Sequence, residues 1–295
     1  MTESNINADN TISNNSGHSQ SLWMEIKLPS FSPLENNLNA DVCIVGAGIV
    51  GLTCAYTLAK QGKSVVVIDQ GAIAGGQTAR TTAHLTWALD DRYCELEILF
   101  GEKGSQLAAE SHSAAIDYIE KIVLEEKIDC DFERIDGYLF VPPEDSKEIL
   151  DKELVAIQKT GMGINKVARA PFSSSFDTGP CLHFPRQAQF HFLKYLHGLI
   201  KAILKHGGKI FSHTLVNHFE DGSPCLVKTE SGAKITCLSI IVATCTPINN
   251  RFFIHTKQAP IARMLLRLPY LRALFQKDFI GIHPILIIIS EFKKI

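Results

Sequence analysis

The chain has 295 residues, 45% hydrophobic and 20% charged, which is enough for one large or two medium globular domains. Its 29 basic and 31 acidic residues leave no basic surplus, so the composition argues against a nucleic-acid partner. No apolar run reaches the ~18 residues that a membrane span needs. The polar first twenty residues match neither a signal peptide nor an anchor, and we expect a disordered tail at 1–20.

The cysteines and histidines give no sign of a metal centre. The eight cysteines are scattered without a C-x-x-C pair, and with no export signal we expect reduced thiols in a cytoplasmic protein. Cys181-Leu-His183 has the C-x-H shape of half a Rieske site, but no C-x-x-H occurs to complete it. We therefore predict no metal and no iron–sulfur cluster in this chain.

The first structural motif lies at residues 41–51. The β-prone residues 41–45 predict a buried strand, and Gly46, Gly48 and Gly51 follow with G-x-G-x-x-G spacing. In this motif the glycines allow a tight turn, close approach of a pyrophosphate and close helix packing. A helix is predicted at 49–61, and its first N–H groups, beginning at Ile49, are suited to bind phosphate.

An acidic residue follows the next predicted strand, at 64–68. Asp69 comes 18 positions after Gly51, near the ~20-residue offset of a ribose-binding carboxylate. The alternative is an acid that only caps a loop. No Lys or Arg lies between Gln70 and Ala79 to hold a 2′-phosphate, which disfavours NADP. FAD and NAD both remain possible on these residues.

The loop that follows Asp69 is rich in glycine, alanine and threonine. Its glycines permit unusual dihedral angles, its hydroxyls can contact phosphate, ribose or flavin, and its arginine can neutralise a pyrophosphate. A plain surface loop is the alternative. The candidate residues of this loop are Gly75, Gly76, Thr78, Arg80, Thr81 and Thr82.

The remaining pattern predicts a discontinuous nucleotide-binding domain. The predicted elements are helix 91–128, strands 130–134 and 138–141, helices 146–159 and 189–206, strand 209–219, a hairpin of strands 225–230 and 234–238, and a buried strand at 239–244. A strand–helix–strand unit, a long insertion and a return to helix and strands predict an α/β fold with a second domain inserted.

The chain resembles the FAD-dependent oxidoreductases of the D-amino-acid oxidase and glycine oxidase superfamily. The likeness is strongest to a bacterial subgroup in which a Rieske domain often follows the flavin portion, and it runs from about Ser21 to Pro260. The segments that carry it are Ala40-Asp-Val-Cys-Ile-Val-Gly-Ala-Gly-Ile-Val-Gly51, Ala79-Arg-Thr-Thr-Ala-His-Leu-Thr86, Leu89-Asp-Asp-Arg-Tyr93, Asp136-Gly-Tyr-Leu-Phe140, Phe184-Pro-Arg-Gln-Ala-Gln-Phe-His191 and His255-Thr-Lys-Gln-Ala-Pro260.

The resemblance implies a Rossmann-like FAD-binding domain and hydride transfer from a C–N bond of a small amine or amino acid to flavin. It assigns no catalytic residue, and His84 is the nearest candidate, with a structural hydrogen bond as its alternative role. The implied FAD-binding residues are Gly46, Gly48, Ile49, Gly51, Asp69, Gly75, Gly76, Gln77, Thr78, Arg80, Thr81, Thr82, Ala83, Val216, Ala243 and Thr244.

The resemblance is lost after Pro260, which predicts a substrate domain that is incomplete at the C-terminus. The predicted domains are an FAD-binding domain at 21–110 and 190–258, a partial α+β substrate domain at 111–189 and a divergent tail at 259–295. Two other hypotheses remain: a truncated, inactive remnant that at most binds a dinucleotide, and an NAD-binding module without redox chemistry.

Overall fold

The structure, a computed structural model, describes residues 25–141, 146–171, 177–245 and 248. The predicted tails at 1–20 and 259–295 lie outside these residues. The described chain divides into two compact units, of which the first takes in the residues up to Thr81 and from Phe192 onward, and the second takes in Thr82–His191. The second unit is therefore inserted into the first. The domain boundaries expected from the sequence, at 110 and 190, stay a prediction.

Ten strands and four α-helices are found in the described residues. In chain order they are β1 (Leu38–Val45), α1 (Ile49–Lys60), β2 (Val65–Ile68), a short 3₁₀ helix (Gln77–Arg80), β3 (His84–Leu85), α2 (Tyr93–Glu125), β4 (Glu133–Leu139), α3 (Glu148–Lys159), β5 (Asn165–Val167), β6 (Cys181–Gln189), α4 (Phe192–Lys205), β7 (Lys209–Phe211), β8 (Val216–Glu220), β9 (Cys225–Thr229) and β10 (Lys234–Val242). α2 is interrupted at Gly101, whose φ of 73° is not helical.

The first unit is built on a six-stranded sheet with the order β7-β2-β1-β10-β9-β8. The four strands from β7 to β10 pair in parallel with their neighbours, whereas β9 pairs antiparallel with both β10 and β8. All four residues of β2 are buried, as expected for a strand covered on both faces. α1 and α4 pack against each other. This is the mixed α/β fold that the sequence predicted.

The six-stranded sheet curls back on itself. β7 and β8 lie at opposite ends of the strand order, although only residues 212–215 separate them. That connection spans at most ~18 Å, whereas a flat sheet would place the two strands ~24 Å apart. Val66 of β2 and Val227 of β9 accordingly share one hydrophobic cluster. Part of the core of this unit therefore lies against the strands of one curved sheet.

The second unit is a small sheet covered by two helices. β6 pairs with β4 on one side and with β3 and β5 on the other, all antiparallel. α2 and α3 pack together. One hydrophobic cluster of this unit consists of the buried residues Trp87, Ala88, Tyr93, Ala109, Ile116, Leu139, Leu150, Ala156, Ile157, Ile164, Leu182, Phe184 and Ala188.

Several predicted strands differ from the observed ones. The strands expected at 130–134 and 138–141 form a single strand, β4, because Gly137 is not in a turn. It packs closely in the sheet, where a Cβ would lie 3.2 Å from Gln187 Cγ. The strand expected at 209–219 is two strands, because His213 takes a φ of 50° between them.

The last predicted strand was also wrong in part. The strands expected at 234–238 and 239–244 are continuous as β10, and the hairpin with β9 is confirmed. The second half of β10 is not fully buried, since Leu238 is 65% exposed and Val242 is 45% exposed. The sequence did not predict β3, β5 or β6.

Candidate functional site

The glycine loop joins β1 to α1 and depends on close backbone packing. Gly46 has a φ of 108°, and a Cβ there would lie 2.4 Å from the carbonyl oxygen of Ala243. A Cβ at Gly51 would lie 1.8 Å from the carbonyl oxygen of Gly46. At Gly48 a Cβ would meet only the hydroxyl of Thr78, at 3.1 Å. Two of the glycines are therefore needed for the fold, and Gly48 keeps open the space in front of the helix.

The N-terminus of α1 faces this open space without an anion of its own. Gly48 is the N-cap residue and makes no side-chain cap hydrogen bond, and the first turn contains no acidic residue. The backbone N–H of Ile49 donates to Thr78 Oγ1 at 3.3 Å. Because first-turn N–H groups carry partial positive charge, this end of a helix is suited to a phosphate. Thr78 adds a hydroxyl at the same place.

Asp69 ties the end of β2 to the glycine loop. Its Oδ2 accepts a hydrogen bond from the backbone N–H of Ala47 at 2.7 Å, and its Oδ1 accepts one from Gly71 at 2.9 Å. Its own backbone N–H donates to the carbonyl of Phe211, and its carbonyl accepts from Thr214. A carboxylate has about four acceptor sites, so capacity for ribose hydroxyls remains. The backbone on both sides thus fixes the position of this acid.

The structure brings together only part of the predicted cofactor set. Gly46, Gly48, Ile49, Gly51, Asp69, Thr78, Ala243 and Thr244 surround the glycine loop in the first unit. The loop that follows Asp69 is tied to the glycine loop, since Ala74 N–H donates to Ala47 O at 3.0 Å. Gly75, Gly76 and Gln77 are exposed beyond this contact.

The other predicted residues are more scattered. Thr81 belongs to the first unit, whereas Thr82 and Ala83 belong to the second. Val216 opens β8 and pairs with Thr229. The side chain of Arg80 lies outside the described part of the chain.

A buried glutamine in the second unit was missed by the sequence interpretation. Gln187 is 1% exposed, and its Oε1 accepts hydrogen bonds from Thr86 Oγ1 at 2.8 Å and from the backbone N–H of Trp87 at 2.9 Å. Its Nε2 donates to Pro185 O at 2.8 Å. Gln187 therefore anchors the C-terminal end of the threonine-rich loop. The segments 79–86 and 184–191 both carry the family resemblance, but nothing in the sequence of either segment indicates that the two are in contact.

His84 lies on β3, next to this anchor. Burial lowers the pKa of His84 below its usual value, so the imidazole is neutral at neutral pH. A neutral imidazole can donate from one nitrogen and accept at the other. No contact in the described structure gives it a catalytic role.

The described residues contain no candidate metal site and no candidate membrane span. Within the described ranges, no three His, Cys, Asp or Glu side chains are grouped so that they could hold a metal ion. All eight cysteines are free thiols. None of the described helices combines the length and the apolar character needed to cross a bilayer.

The strand–glycine loop–helix–strand unit, with an open helix N-terminus and a fixed acid after the second strand, defines a dinucleotide-binding fold. The profile of the FAD dependent oxidoreductase (DAO) family matches residues 41–277, which is most of the chain. The chain belongs to this family. The match extends beyond Pro260, where the resemblance was expected to end.

Individual relatives agree with this assignment. The chain is 36% identical over 220 residues to YhfW of Bacillus subtilis, whose name describes a Rieske 2Fe-2S iron–sulfur protein; the match covers 75% of this chain and 43% of YhfW. It is 26% identical over 224 residues to gamma-glutamylputrescine oxidoreductase of Escherichia coli, covering 74% of this chain and 51% of that protein. The chain thus spans about half the length of the curated relatives it matches.

The fold is shared with solved structures. Glycine oxidase from Geobacillus kaustophilus superposes with a TM-score of 0.58 at 17% identity, over 70% of this chain and 55% of that chain. At this identity the likeness shows the fold alone.

FAD is the cofactor of the family, and the residues present are suited to it. Gly48 leaves open space in front of α1, the first turn of that helix contains no acidic residue, and the carboxylate of Asp69 is held beside the glycine loop by the N–H of Ala47. NADP remains disfavoured on the sequence, and family membership decides between FAD and NAD.

Proposed function

We propose that this chain provides the FAD-binding part of an oxidoreductase that oxidises a C–N bond of a small amine or amino acid. The observation that carries the proposal is the open helix N-terminus beside Gly48, together with the fixed carboxylate of Asp69. When bound, FAD supplies the hydride acceptor in this chemistry.

The residues of the chain have distinct binding roles in this proposal. The N–H groups at the start of α1 and the hydroxyl of Thr78 bind the pyrophosphate, and the carboxylate of Asp69 accepts hydrogen bonds from a ribose. Ala243 and Thr244 border the glycine loop from the end of β10 and close the same site. The other predicted contacts, Gly75, Gly76, Gln77, Arg80, Thr81, Thr82, Ala83 and Val216, remain part of the proposal.

The substrate class is supported by the names of related proteins. One relative is a gamma-glutamylputrescine oxidoreductase, and one protein of the same fold is a glycine oxidase. Each name refers to a compound in which the nitrogen of an amine or amino group is bonded to carbon. We propose this class of substrate, amines and amino acids, for the present chain without naming a single compound.

Titration of the purified protein with FAD, followed by visible absorbance, tests the cofactor site. We expect saturable binding with a two-band flavin spectrum. Gly48→Val should abolish binding because its side chain would fill the space before α1, and Asp69→Asn should weaken binding about tenfold because the charged acceptor is lost. Glu35→Gln, at an exposed acid before β1, is the matched control and should bind as the parent does.

Turnover is tested separately on the FAD-loaded protein with amines and amino acids. Flavin bleaching under anaerobic conditions by one of these compounds would support the full proposal. FAD binding without bleaching by any of them would limit the function to nucleotide binding. Equal affinity of the parent and of Gly48→Val for FAD would refute the proposed site.

A further inference from the structure

The second unit carries a polar cluster on strands β4 and β6, at residues that are not part of its hydrophobic cluster. Leu139 and Leu182 belong to the core beneath α2 and α3. Tyr138 and His183 adjoin them in sequence, and alternation along a strand places both on the opposite face. The two residues are paired in register across β4 and β6, and their rings stack at 5.1 Å with an interplanar angle of 24°. We call Asp136, Tyr138 and His183 the β4–β6 cluster.

The carboxylate of Asp136 is only partly used. Its Oδ2 lies 3.0 Å from His183 Nε2, but this nitrogen makes no hydrogen bond within the described residues. Its Oδ1 accepts from the backbone N–H of Arg186 at 3.3 Å. The side chain of Asp136 is 49% exposed, against 21% for His183. The carboxylate therefore presents free acceptor sites beside two aromatic rings.

A β-bulge builds this arrangement. The register of β4 and β6 shifts between Ile135 and Gly137, which leaves Arg186 as an extra residue with a φ of 59°. Arg134 Nη1 donates to Arg186 O at 2.9 Å and secures the bulge. The Arg186 guanidinium is directed to Asp117, at 3.4 Å. Bulges often re-aim side chains beside functional sites.

The two arginines nearest to Asp136 in the sheet, Arg134 and Arg186, form ion pairs with other acidic residues. Arg134 pairs with Asp117 and Glu120. Within the described residues, His183 is the only ionisable side chain at ion-pair distance from Asp136. Burial, with a smaller contribution from Asp136, raises the pKa of Tyr138, so its phenol keeps its proton and can donate a hydrogen bond.

We propose that the β4–β6 cluster binds the ammonium group of an amine or amino-acid ligand, an inference that rests on the function proposed above and names a binding site for its substrate class. Asp136 supplies the negative charge, and the face of Tyr138 supplies a cation–π contact. His183 stacks on Tyr138 and fixes the orientation of its ring. An uncharged ligand of the same shape gains neither interaction.

Ligand-observed NMR titration of the whole protein with putrescine tests this inference, with 1,4-butanediol as the uncharged probe of equal length. We expect saturable binding of putrescine and none of the diol. Asp136→Asn keeps the acceptor for Arg186 and should raise the Kd about fivefold, whereas Tyr138→Leu should raise it about threefold. Glu133→Gln, at an exposed acid of the same strand, is the matched control and should leave the Kd unchanged.

Three outcomes would overturn the site: no saturable binding of putrescine, equal affinity for the diol, or an unchanged Kd in Asp136→Asn. Circular dichroism of each variant reports folding, and Tyr138→Leu provides a second test that leaves the Arg186 contact intact. FAD affinity is measured on the same samples. If FAD does not bind while putrescine keeps the expected variant pattern, the proposed function fails and the ammonium site stands.

Discussion

Replacing Glu153 by glutamine tests whether one buried carboxylate holds the start of the longest helix. Glu153 is 2% exposed on α3, and its two oxygens accept hydrogen bonds from the backbone N–H groups of Tyr93 and Cys94, each at 3.0 Å. These are the first two residues of α2, and the N-cap residue Arg92 makes no side-chain cap bond. Glu153 thus caps another helix from outside.

The expected cost follows from these two hydrogen bonds. Glutamine keeps one acceptor oxygen, but its NH₂ group would face a backbone N–H and leave that donor without an acceptor. One lost hydrogen bond to a charged group costs ~1.5–3 kcal/mol. Loss of the negative charge at a helix N-terminus adds ~0.3–1 kcal/mol. Because a neutral amide is easier to bury than a carboxylate, we expect Glu153→Gln to lower the free energy of unfolding by ~2–3 kcal/mol.

Urea denaturation followed by tryptophan fluorescence measures this change. Trp87 is 2% exposed, and Tyr93 Oη donates to its carbonyl, so its emission reports on this region. The unfolding midpoint should fall by about 1 M at one fixed FAD concentration. Glu148→Gln, on the exposed face of α3, should change the stability by less than ~0.5 kcal/mol. Equal midpoints for the two variants would refute the capping role.

Three further predictions follow from the described geometry. Gly51→Ala should abolish soluble, FAD-binding protein because its methyl group would lie 1.8 Å from a backbone oxygen, whereas Gly62→Asn, at a φ of 81° with nothing within 4 Å, should be tolerated; gel filtration and FAD titration compare them. Burial lowers the pKa of His84 in the folded protein below the ordinary 6.5, so the unfolded chain binds more protons below that pH. The stabilisation is complete above pH 6.5 and decreases as the pH falls towards the folded pKa, and His84→Gln should flatten this part of the stability profile; identical slopes in urea titrations would contradict the assignment. Burial raises the pKa of Cys94 to about 11, so iodoacetamide at neutral pH should modify the exposed Cys245 well before Cys94, as read by peptide mass spectrometry.

The dinucleotide unit could be predicted from sequence because its determinants are local. Gly46, Gly48 and Gly51 lie within six positions, and the strand and helix around them have unmistakable periodicity. Asp69 could be placed by its offset alone. The hydrogen bond between Asp69 and Ala47 could not be seen in the sequence. It explains why the carboxylate of Asp69 is held beside the glycine loop.

The second unit was harder to predict because its determinants are distant in sequence. Pro185 lies within β6, and proline normally argues against a strand interior, but here a bulge accommodates it. Glu153 and Gln187 are buried through hydrogen bonds to chain segments 60 and 100 residues away. From sequence alone, such polar residues are expected on the surface.

The interrupted path of the first unit bears on the order in which the chain folds during synthesis. β1 pairs with β10, and the partners Val45 and Val242 are almost two hundred positions apart. The inserted residues Thr82–His191 are contiguous and emerge from the ribosome before β7 and β10 exist. Because long-range pairing is slow, the inserted unit can fold before β1 pairs with β10 and before β2 pairs with β7. The packing of the glycine loop, in which Gly46 lies against Ala243, is therefore among the last features of the described chain to form.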